Sequence, residues 1–388
     1  MNLSMIDGGL WAVYSTLASS YLIPLTIIIF GRNDPVGLIV GVPLLLVPLA
    51  QFAAYKILKN DVSLKKITVL STWLDRLLWL PLLLFLYIHL GYMGTLFLFV
   101  MILSFRTFFA SFSGTTWTLW VPFMIRDELR NTYFSLRNSI LRIASLLGYF
   151  ISLALFSMSI NIRFQYTVIY ILAFLFSAAS LFFLNKVPDF YHRSTSDINK
   201  DRKISNKGAS VVFYSILALL SLATSSSYSY YQFTLVSPGY FDLTGVQYTF
   251  ILIAVSVAFV LSQMIFGRYS KNGEESRILL FSSLVYISAL VCILSGLYYS
   301  YLISGILFGI GQSGFSISLF LMVIRRNWQV RSVGISLYNL IGSISQGIGL
   351  LLSNFLVSRY LSVFPVFDFS ILLMIAEFIL AIIYTLKY

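Results

Sequence analysis

The sequence predicts an all-α polytopic membrane protein with twelve transmembrane helices in two pseudo-symmetric halves of six. Of its 388 residues, 59% are hydrophobic and only 10% are charged, and the mean hydropathy is +0.88. An ordinary soluble domain carries about 25% charged residues. Apolar runs of about 20 residues, the length of a bilayer-spanning helix, recur along the whole chain. This composition excludes a cytosolic globular enzyme, a disordered protein and a nucleic-acid-binding domain, despite the net charge of +12.

Charged clusters and Gly, Pro and Asn turns divide the chain into twelve apolar segments. We expect these spans near residues 8–30, 35–55, 67–88, 94–120, 136–160, 164–185, 209–232, 245–267, 277–297, 300–324, 332–357 and 364–386. The one long polar stretch, residues 186–208, is rich in Ser, Asn, Lys and Asp, which is typical of a flexible linker. It predicts six-helix bundles at residues 1–185 and 209–388, joined by a cytoplasmic linker.

The distribution of basic residues predicts the orientation in the membrane. Alternate loops, together with the C-terminus, hold twenty Lys and Arg residues, and the opposite loops hold three. Cytoplasmic loops are enriched in Lys and Arg, so both termini are expected in the cytoplasm of a multi-pass plasma-membrane protein. The positive charge therefore indicates topology and attraction to anionic membrane lipid, and it does not indicate nucleic acid.

An internal repeat relates the two halves. Residues 130–140 (RNTYFSLRNSI) align with residues 331–341 (RSVGISLYNLI) at an offset of 201, and the register continues to Gly148 and Gly349. Both copies lie at the boundary that leads into a span. The repeat predicts that the fifth span mirrors the eleventh.

These features resemble the major facilitator superfamily, and the best local match is residues 121–138 (VPFMIRDELRNTYFSLRN), which is similar to the loop after span 4 in many members. The resemblance implies two six-helix bundles related by a twofold axis along the membrane normal. It also implies a central cavity lined by spans 1, 4, 7 and 10, with alternating access by rocking of the halves. Residues 58–66 (LKNDVSLKK) keep only part of the family's signature between spans 2 and 3. The antiporter signature of span 5 is absent, which disfavours a proton-driven multidrug exporter without excluding one.

Arg106 is the leading candidate for solute binding. It lies about twelve residues into span 4, roughly 18 Å along the helix and close to the bilayer midplane. With Ala110, Ser113 and Trp117 it forms a stripe on one helix face, which the resemblance places toward the cavity. No Asp or Glu occurs in residues 94–120. The guanidinium is therefore predicted to hold a carboxylate or phosphate through two hydrogen bonds. The alternative is an arginine neutralised by an acid on another span.

A second set of polar residues follows spans 5 and 11. Asn138 and Arg142 share a face of span 5, and the repeat gives span 11 the matching residues Asn339 and Gln346. Unpaired polar groups are too costly on a lipid-facing surface. These side chains are predicted either to form an inner gate or to make permanent interhelical hydrogen bonds.

Three further charges lie within predicted spans, where ionisable groups are functional candidates by default. Asp75 and Arg76 are adjacent on span 3, so they point about 100° apart and are not expected to pair with each other. Asp75 has either a structural role or that of a proton-coupling acid. The same two roles, structural or proton-coupling, are open for Glu377 on span 12.

The remaining cavity candidates offer neutral hydrogen bonds and aromatic surfaces. Hydroxyls and carboxamides suit uncharged polar groups, and tyrosines suit stacking. The alternative for span 7 is a polar and aromatic belt at the outer interface. The candidates are Tyr14, Tyr21, Ser225, Tyr228, Gln232 and Gln312.

The sequence predicts a transporter and not an enzyme, because no catalytic triad, phosphate-binding loop or metal-ligand spacing can be found. We expect a monomeric secondary active transporter of a small solute, with an organic or inorganic anion as one option and a proton or sodium ion as the coupling partner. No cofactor is expected. The alternatives are a proton-coupled drug or metabolite exporter, a polytopic membrane enzyme acting on a lipid-linked substrate, and a binding protein with a transporter fold.

Overall fold

The computed structural model describes residues 2–31, 35–57, 63–88, 90–120, 125, 127–189, 207–270, 274–297, 299–326 and 331–387. These residues form helices, and none of them lies in a strand. The helices of the first half are α1 (Asn2–Ser19), α2 (Leu22–Phe30), α3 (Val36–Leu44), α4 (Val47–Ile57), α5 (Leu64–Leu77), α6 (Leu80–Leu84), α7 (Tyr92–Trp120), α8 (Asp127–Phe156) and α9 (Ile162–Lys186). Those of the second half are α10 (Lys207–Val236), α11 (Gly245–Tyr269), α12 (Glu275–Leu294), α13 (Ser300–Arg326), α14 (Arg331–Tyr360) and α15 (Phe364–Lys387).

The helices make up twelve segments long and apolar enough to cross a membrane, which confirms the predicted fold class. Three of the segments are helix pairs, α1 with α2, α3 with α4 and α5 with α6, and each of α7 to α15 supplies one. The predicted linker lies outside the described residues apart from its ends. Residues 121–124 and 126 of the loop motif also lie outside them.

A proline accompanies each of the three breaks between paired helices. Pro24 follows the break at Ser20, Pro48 follows the break between α3 and α4, and Pro81 follows the break between α5 and α6. Proline has no N–H to donate to the carbonyl four residues earlier. The freed carbonyl of Ser20 instead accepts a hydrogen bond of 2.8 Å from the Tyr248 hydroxyl. The helical hydrogen bonding of this span is therefore interrupted before Pro24.

The chain divides into two compact units. The first contains residues 1–35, 42–195 and 244–249, and the second contains residues 36–41, 196–243 and 250–388. In the first unit α1 packs on α8 and α9, and α5 packs on α7 and α9. In the second unit α10 packs on α14 and α15, and α12 packs on α13 and α15. In each unit, the first span therefore contacts the fifth and sixth spans, and the third span contacts the fourth and sixth.

Two glycines related by the sequence repeat allow close helix packing at equivalent places. A Cβ on Gly148 of α8 would lie 3.0 Å from the side chain of Thr16 on α1. A Cβ on Gly349 of α14 would lie 2.6 Å from the backbone oxygen of Leu222 on α10. Small residues of this kind let membrane helices approach each other. Each unit therefore packs its first span closely against its fifth.

Candidate functional site

The first unit contains an ion pair between α5 and α7. The Nε of Arg106 donates a 2.9 Å hydrogen bond to Oδ1 of Asp75. The Asp75 side chain is 6% exposed, whereas that of Arg106 is 20% exposed. The carboxylate is therefore enclosed by protein, and Arg106 is the more exposed partner.

Two aromatic side chains hold this ion pair in place. The guanidinium of Arg106 lies over the ring of Trp79, 4.6 Å from its centroid, a distance typical of a cation–π interaction. The indole N–H of Trp79 donates a 2.6 Å hydrogen bond to the hydroxyl of Tyr14 on α1. That hydroxyl also lies close to the side chains of Asp75 and Arg106. Tyr14, a predicted cavity residue, is thus fully buried beside the ion pair.

A second pair of opposite charges lies next to the first. Arg76 points away from Asp75, as expected for neighbouring helix residues, and donates to the Ser177 carbonyl and, at 3.1 Å, to Oγ of Ser180. The Ser180 hydroxyl in turn lies 2.6 Å from Oδ1 of Asp7 on α1. Both charged residues are buried, so Ser180 bridges a guanidinium and a carboxylate that would otherwise be costly to bury.

We call these four residues the charge cluster: Asp7, Asp75, Arg76 and Arg106. Two carboxylates and two guanidiniums give it no net formal charge, and the Tyr14 ring links its two pairs because Arg76 lies 5.6 Å from its centroid. The pair with Asp75 matches the alternative left open by the sequence, an arginine neutralised by an acid on another span. The acid comes from span 3, which was not counted among the spans expected to line the cavity.

Arg137 differs from the arginines of the charge cluster. Its guanidinium lies over the Trp117 ring, 4.4 Å from the centroid, and its Nε is buried with no hydrogen-bond partner among the described residues. It packs against Gly8 of α1, where an added Cβ would lie 3.2 Å from its Nε. The structure therefore places the predicted cavity residue Trp117 against Arg137.

The other candidates of the first unit are dispersed. The Ser113 hydroxyl donates to the carbonyl of Ala110 in its own helix, at 3.0 Å. Tyr21 is fully buried, and its hydroxyl lies 3.0 Å from Oγ1 of Thr249. Asn138 and Arg142 are exposed on α8. The predicted inner gate stays a prediction.

The second unit contains a cluster of four aromatic residues from α10, α12 and α13, which we call the aromatic cluster: Tyr228, Tyr231, Tyr286 and Phe308. Phe308 lies at its centre, with ring centroids 4.8 Å from Tyr286 and 5.0 Å from Tyr231. The Tyr286 hydroxyl lies 2.9 Å from Oγ of Ser227, and the side chain of Gln312 lies nearby. Aromatic faces beside a carboxamide suit a planar polar solute.

The remaining candidates of the second unit do not join this cluster by any contact that the structure describes. The Ser225 hydroxyl donates to the backbone oxygen of Gln346, at 3.1 Å, and so ties α10 to α14. Gln232 is half-buried on α10, and Asn339 is exposed on α14. Of the six neutral candidates, only Tyr228 and Gln312 come together around Phe308.

Comparison with known proteins decides the family. Residues 3–350 match the sequence model described as Major Facilitator Superfamily. The chain belongs to the major facilitator superfamily. No curated protein matches it.

Solved structures of transporters share the superfamily fold with this chain. The nucleoside transporter NupG is similar over 100% of both chains, with a TM-score of 0.68 and 14% sequence identity. A bacterial homologue of the iron transporter ferroportin in its inward-facing state has a TM-score of 0.69 and 14% identity over 99% of this chain and 98% of its own. An autoinhibited peptide transporter of the POT family has a TM-score of 0.70 and 10% identity over 100% and 96%.

Membership of the superfamily confirms the resemblance read from the loop motif and the repeat. Together with these structures it identifies the chain as a membrane transporter and not an enzyme. The reading as a polytopic enzyme acting on a lipid-linked substrate is therefore set aside.

Several residues of the charge cluster and its surroundings were missed by sequence reasoning. Asp7, Trp79 and Ser180 are not among the predicted site residues. A signal existed for Asp7, because an acid five residues into an apolar span is unusual. No comparable signal marks Trp79 or Ser180, since aromatic and hydroxyl residues are common in spans.

Proposed function

We propose that this superfamily member is a secondary active transporter that moves a small anionic solute across the plasma membrane by alternating access. In this proposal the Asp75–Arg106 pair couples solute binding to a proton. The observation that supports it is the unequal burial of the two partners, with Asp75 enclosed and Arg106 partly exposed. An anion arriving from water meets the guanidinium and not the carboxylate.

The strength of the ion pair explains why the solute needs a proton. Opposite unit charges 2.9 Å apart attract each other by about 6 kcal/mol at an effective dielectric constant of about 20. An anion that draws Arg106 away leaves Asp75 without its counter-charge in an apolar setting. A proton on Asp75 removes that penalty, so proton and anion bind best together, and each raises the affinity for the other.

The geometry of Arg106 suits a planar anion. Its guanidinium lies over the Trp79 ring, which restricts the movement of the group. The Nε donates to Asp75, and the fork of N–H groups matches the oxygens of a carboxylate or a phosphate. Lysine at this position would offer neither the stacking nor the paired donors.

The aromatic cluster supports a second candidate function, the export or import of a planar, uncharged drug or metabolite. Tyr228 and Gln312 are half-buried beside the fully buried Tyr286 and Phe308, so they supply a ring face, a donor and an acceptor. The similar structures include nucleoside, metal and peptide transporters at 10–15% identity, and a shared fold at that level carries no substrate with it.

Proteoliposome uptake under imposed proton and sodium gradients tests the two candidates. Carboxylates, phosphates and uncharged aromatic solutes are screened first. For an anion that is taken up, an inward proton gradient accelerates wild-type transport, Arg106→Gln weakens solute binding, and Asp75→Asn makes uptake independent of the proton gradient.

The matched control is Arg277→Gln, which breaks the exposed Arg277–Glu274 ion pair at the start of α12. It should transport as the wild type does. If Arg106→Gln binds carboxylates and phosphates as tightly as the wild type does, the anion proposal is wrong. Stimulation by a sodium gradient alone would end the proton proposal.

We also propose that the protein is a monomer with both termini in the cytoplasm. The excess of Lys and Arg in alternate loops supports this orientation. In a Cys292→Ser background, a cysteine introduced by Ser196→Cys should react with an impermeant maleimide only after cells are permeabilised. Reaction in intact cells would reverse the orientation, and light scattering of the purified protein measures its mass.

A further inference from the structure

A third buried acid lies in the second unit, away from the charge cluster. Glu377 is fully buried on α15, at least ten residues from either end of that helix. At 1.5 Å per residue this places it about 15 Å or more from both helix ends. Neither the charge cluster nor the proposed function makes use of it.

An ionised Glu377 carboxylate would lack hydrogen-bond donors. Its Oε2 lies 2.8 Å from Oγ of Ser283 on α12, and that same Oγ lies 3.0 Å from the carbonyl oxygen of Leu279. A serine hydroxyl has one proton, so it can donate fully to only one of these two oxygens at a time. The other carboxyl oxygen of Glu377, Oε1, is buried with no hydrogen-bond partner among the described residues.

No cation compensates Glu377 among the described residues. α15 packs against α10, α12 and α14. The titratable residues on these four helices whose side chains the structure describes, other than Glu377, are Tyr214, Tyr228, Tyr230, Tyr231, Glu275, Arg277, Tyr286, Cys292, Tyr338, Arg359, Tyr360, Asp368, Tyr384 and Lys387. The charged ones all lie within five residues of a helix end, and the structure gives Glu377 an ion pair with none of them. Asp7 and Asp75, by contrast, each lie beside an arginine.

We propose that Glu377 is a proton-binding site, occupied in this conformation and separate from the Asp75–Arg106 pair. A protonated carboxyl donates its O–H to Ser283, and the Ser283 hydroxyl then donates to the Leu279 carbonyl, so both contacts have a proton. The neutral acid also avoids placing an isolated charge in an apolar interior. The ligand of this site is a single proton.

The proposed proton site lies between α12 and α15, beside the aromatic cluster. Ser283 lies one turn before Tyr286 on α12, and Tyr286 contacts Phe308 and Ser227. Loss of the proton would leave a carboxylate between α12 and α15 with one shared hydroxyl proton. Whether Glu377 carries a proton should therefore affect the position of α12, and with it the position of Tyr286.

Infrared spectroscopy of the purified full-length protein tests the proposal. A protonated carboxyl has a carbonyl stretch well separated from the bands of a carboxylate. The difference spectrum between wild type and Glu377→Gln at neutral pH should contain that stretch. Carboxylate bands in its place would overturn the proposal.

Two further variants keep the test independent of folding. Asp368→Asn changes an exposed acid on the same helix, and its difference spectrum should contain carboxylate bands only. Ser283→Ala removes the hydrogen-bond partner of Glu377 and should shift the frequency of the protonated-acid stretch. An unshifted stretch in Ser283→Ala would mean that the protonated acid is not Glu377.

Discussion

Replacing Arg106 with glutamine removes the only cation that contacts Asp75 within the part of the chain that the structure describes. The pair attracts by about 6 kcal/mol at 2.9 Å and an effective dielectric constant of about 20. Part of that attraction offsets the cost of removing both charges from water. Breaking a buried pair from one side typically destabilises by about 3–5 kcal/mol. Because Arg106 keeps 20% exposure, we expect the lower end, about 3 kcal/mol.

The double variant separates loss of the pair from loss of the arginine side chain. Asp75→Asn with Arg106→Gln leaves two neutral amides that can hydrogen-bond each other, so no uncompensated charge remains. We expect this protein to be more stable than Arg106→Gln alone, with a coupling energy of at least about 2 kcal/mol. The free energies of unfolding are measured in mild detergent at neutral pH for the wild type, both single variants and the double variant.

Additive effects would refute this reasoning. If the double variant loses as much stability as the sum of the two single variants, the ion pair contributes nothing beyond its separate side chains. The Arg277→Gln variant is the reference for an exposed pair. Exposed pairs are typically worth less than about 1 kcal/mol, so its stability should change little.

Three more outcomes follow from the packing. Tyr14→Phe removes the acceptor of the Trp79 indole N–H and should destabilise the first unit by about 1–3 kcal/mol in the same unfolding assay, whereas no change would mean that this hydrogen bond is dispensable. Gly349→Ala brings a Cβ against α10 and should destabilise by about 1–3 kcal/mol, while the control Gly267→Ala, in open space on α11, should stabilise by a few tenths to about 1 kcal/mol; equal effects would contradict the close packing. Phe308→Ala empties the centre of the aromatic cluster and should cost about 3–5 kcal/mol, and a smaller loss would mean that the cluster closes over the gap.

The spans were predictable because burial in lipid demands long apolar runs, and the chain supplies twelve of them. The different directions of Asp75 and Arg76 were also predictable, since neighbouring helix residues point about 100° apart. The pairing of Asp75 with Arg106 was not. Its partners are 31 residues apart on different spans, and only the packing of α5 against α7 brings them together.

The polar stripe of span 7 was harder to interpret from the sequence for a different reason. Hydroxyl side chains within a helix often bond to carbonyls of the preceding turn. Thr224, Ser226 and Ser227 all do so here, at 2.7–2.8 Å. Such residues look like cavity ligands in the sequence, although their own helix already satisfies them. Only Ser225 and Ser227 also contact another helix through a described hydrogen bond.

The proline breaks fall in the first three spans, whereas each span that the structure describes from α10 to α15 is one uninterrupted helix. A helix lacking a backbone hydrogen bond at one turn bends more readily there than a continuous helix does. The two repeated halves therefore differ in stiffness. The first half has three helix breaks at which it can bend, and the described part of the second half has none. Elastic deformation during a transport cycle should concentrate near Pro24, Pro48 and Pro81, while the second half deforms far less.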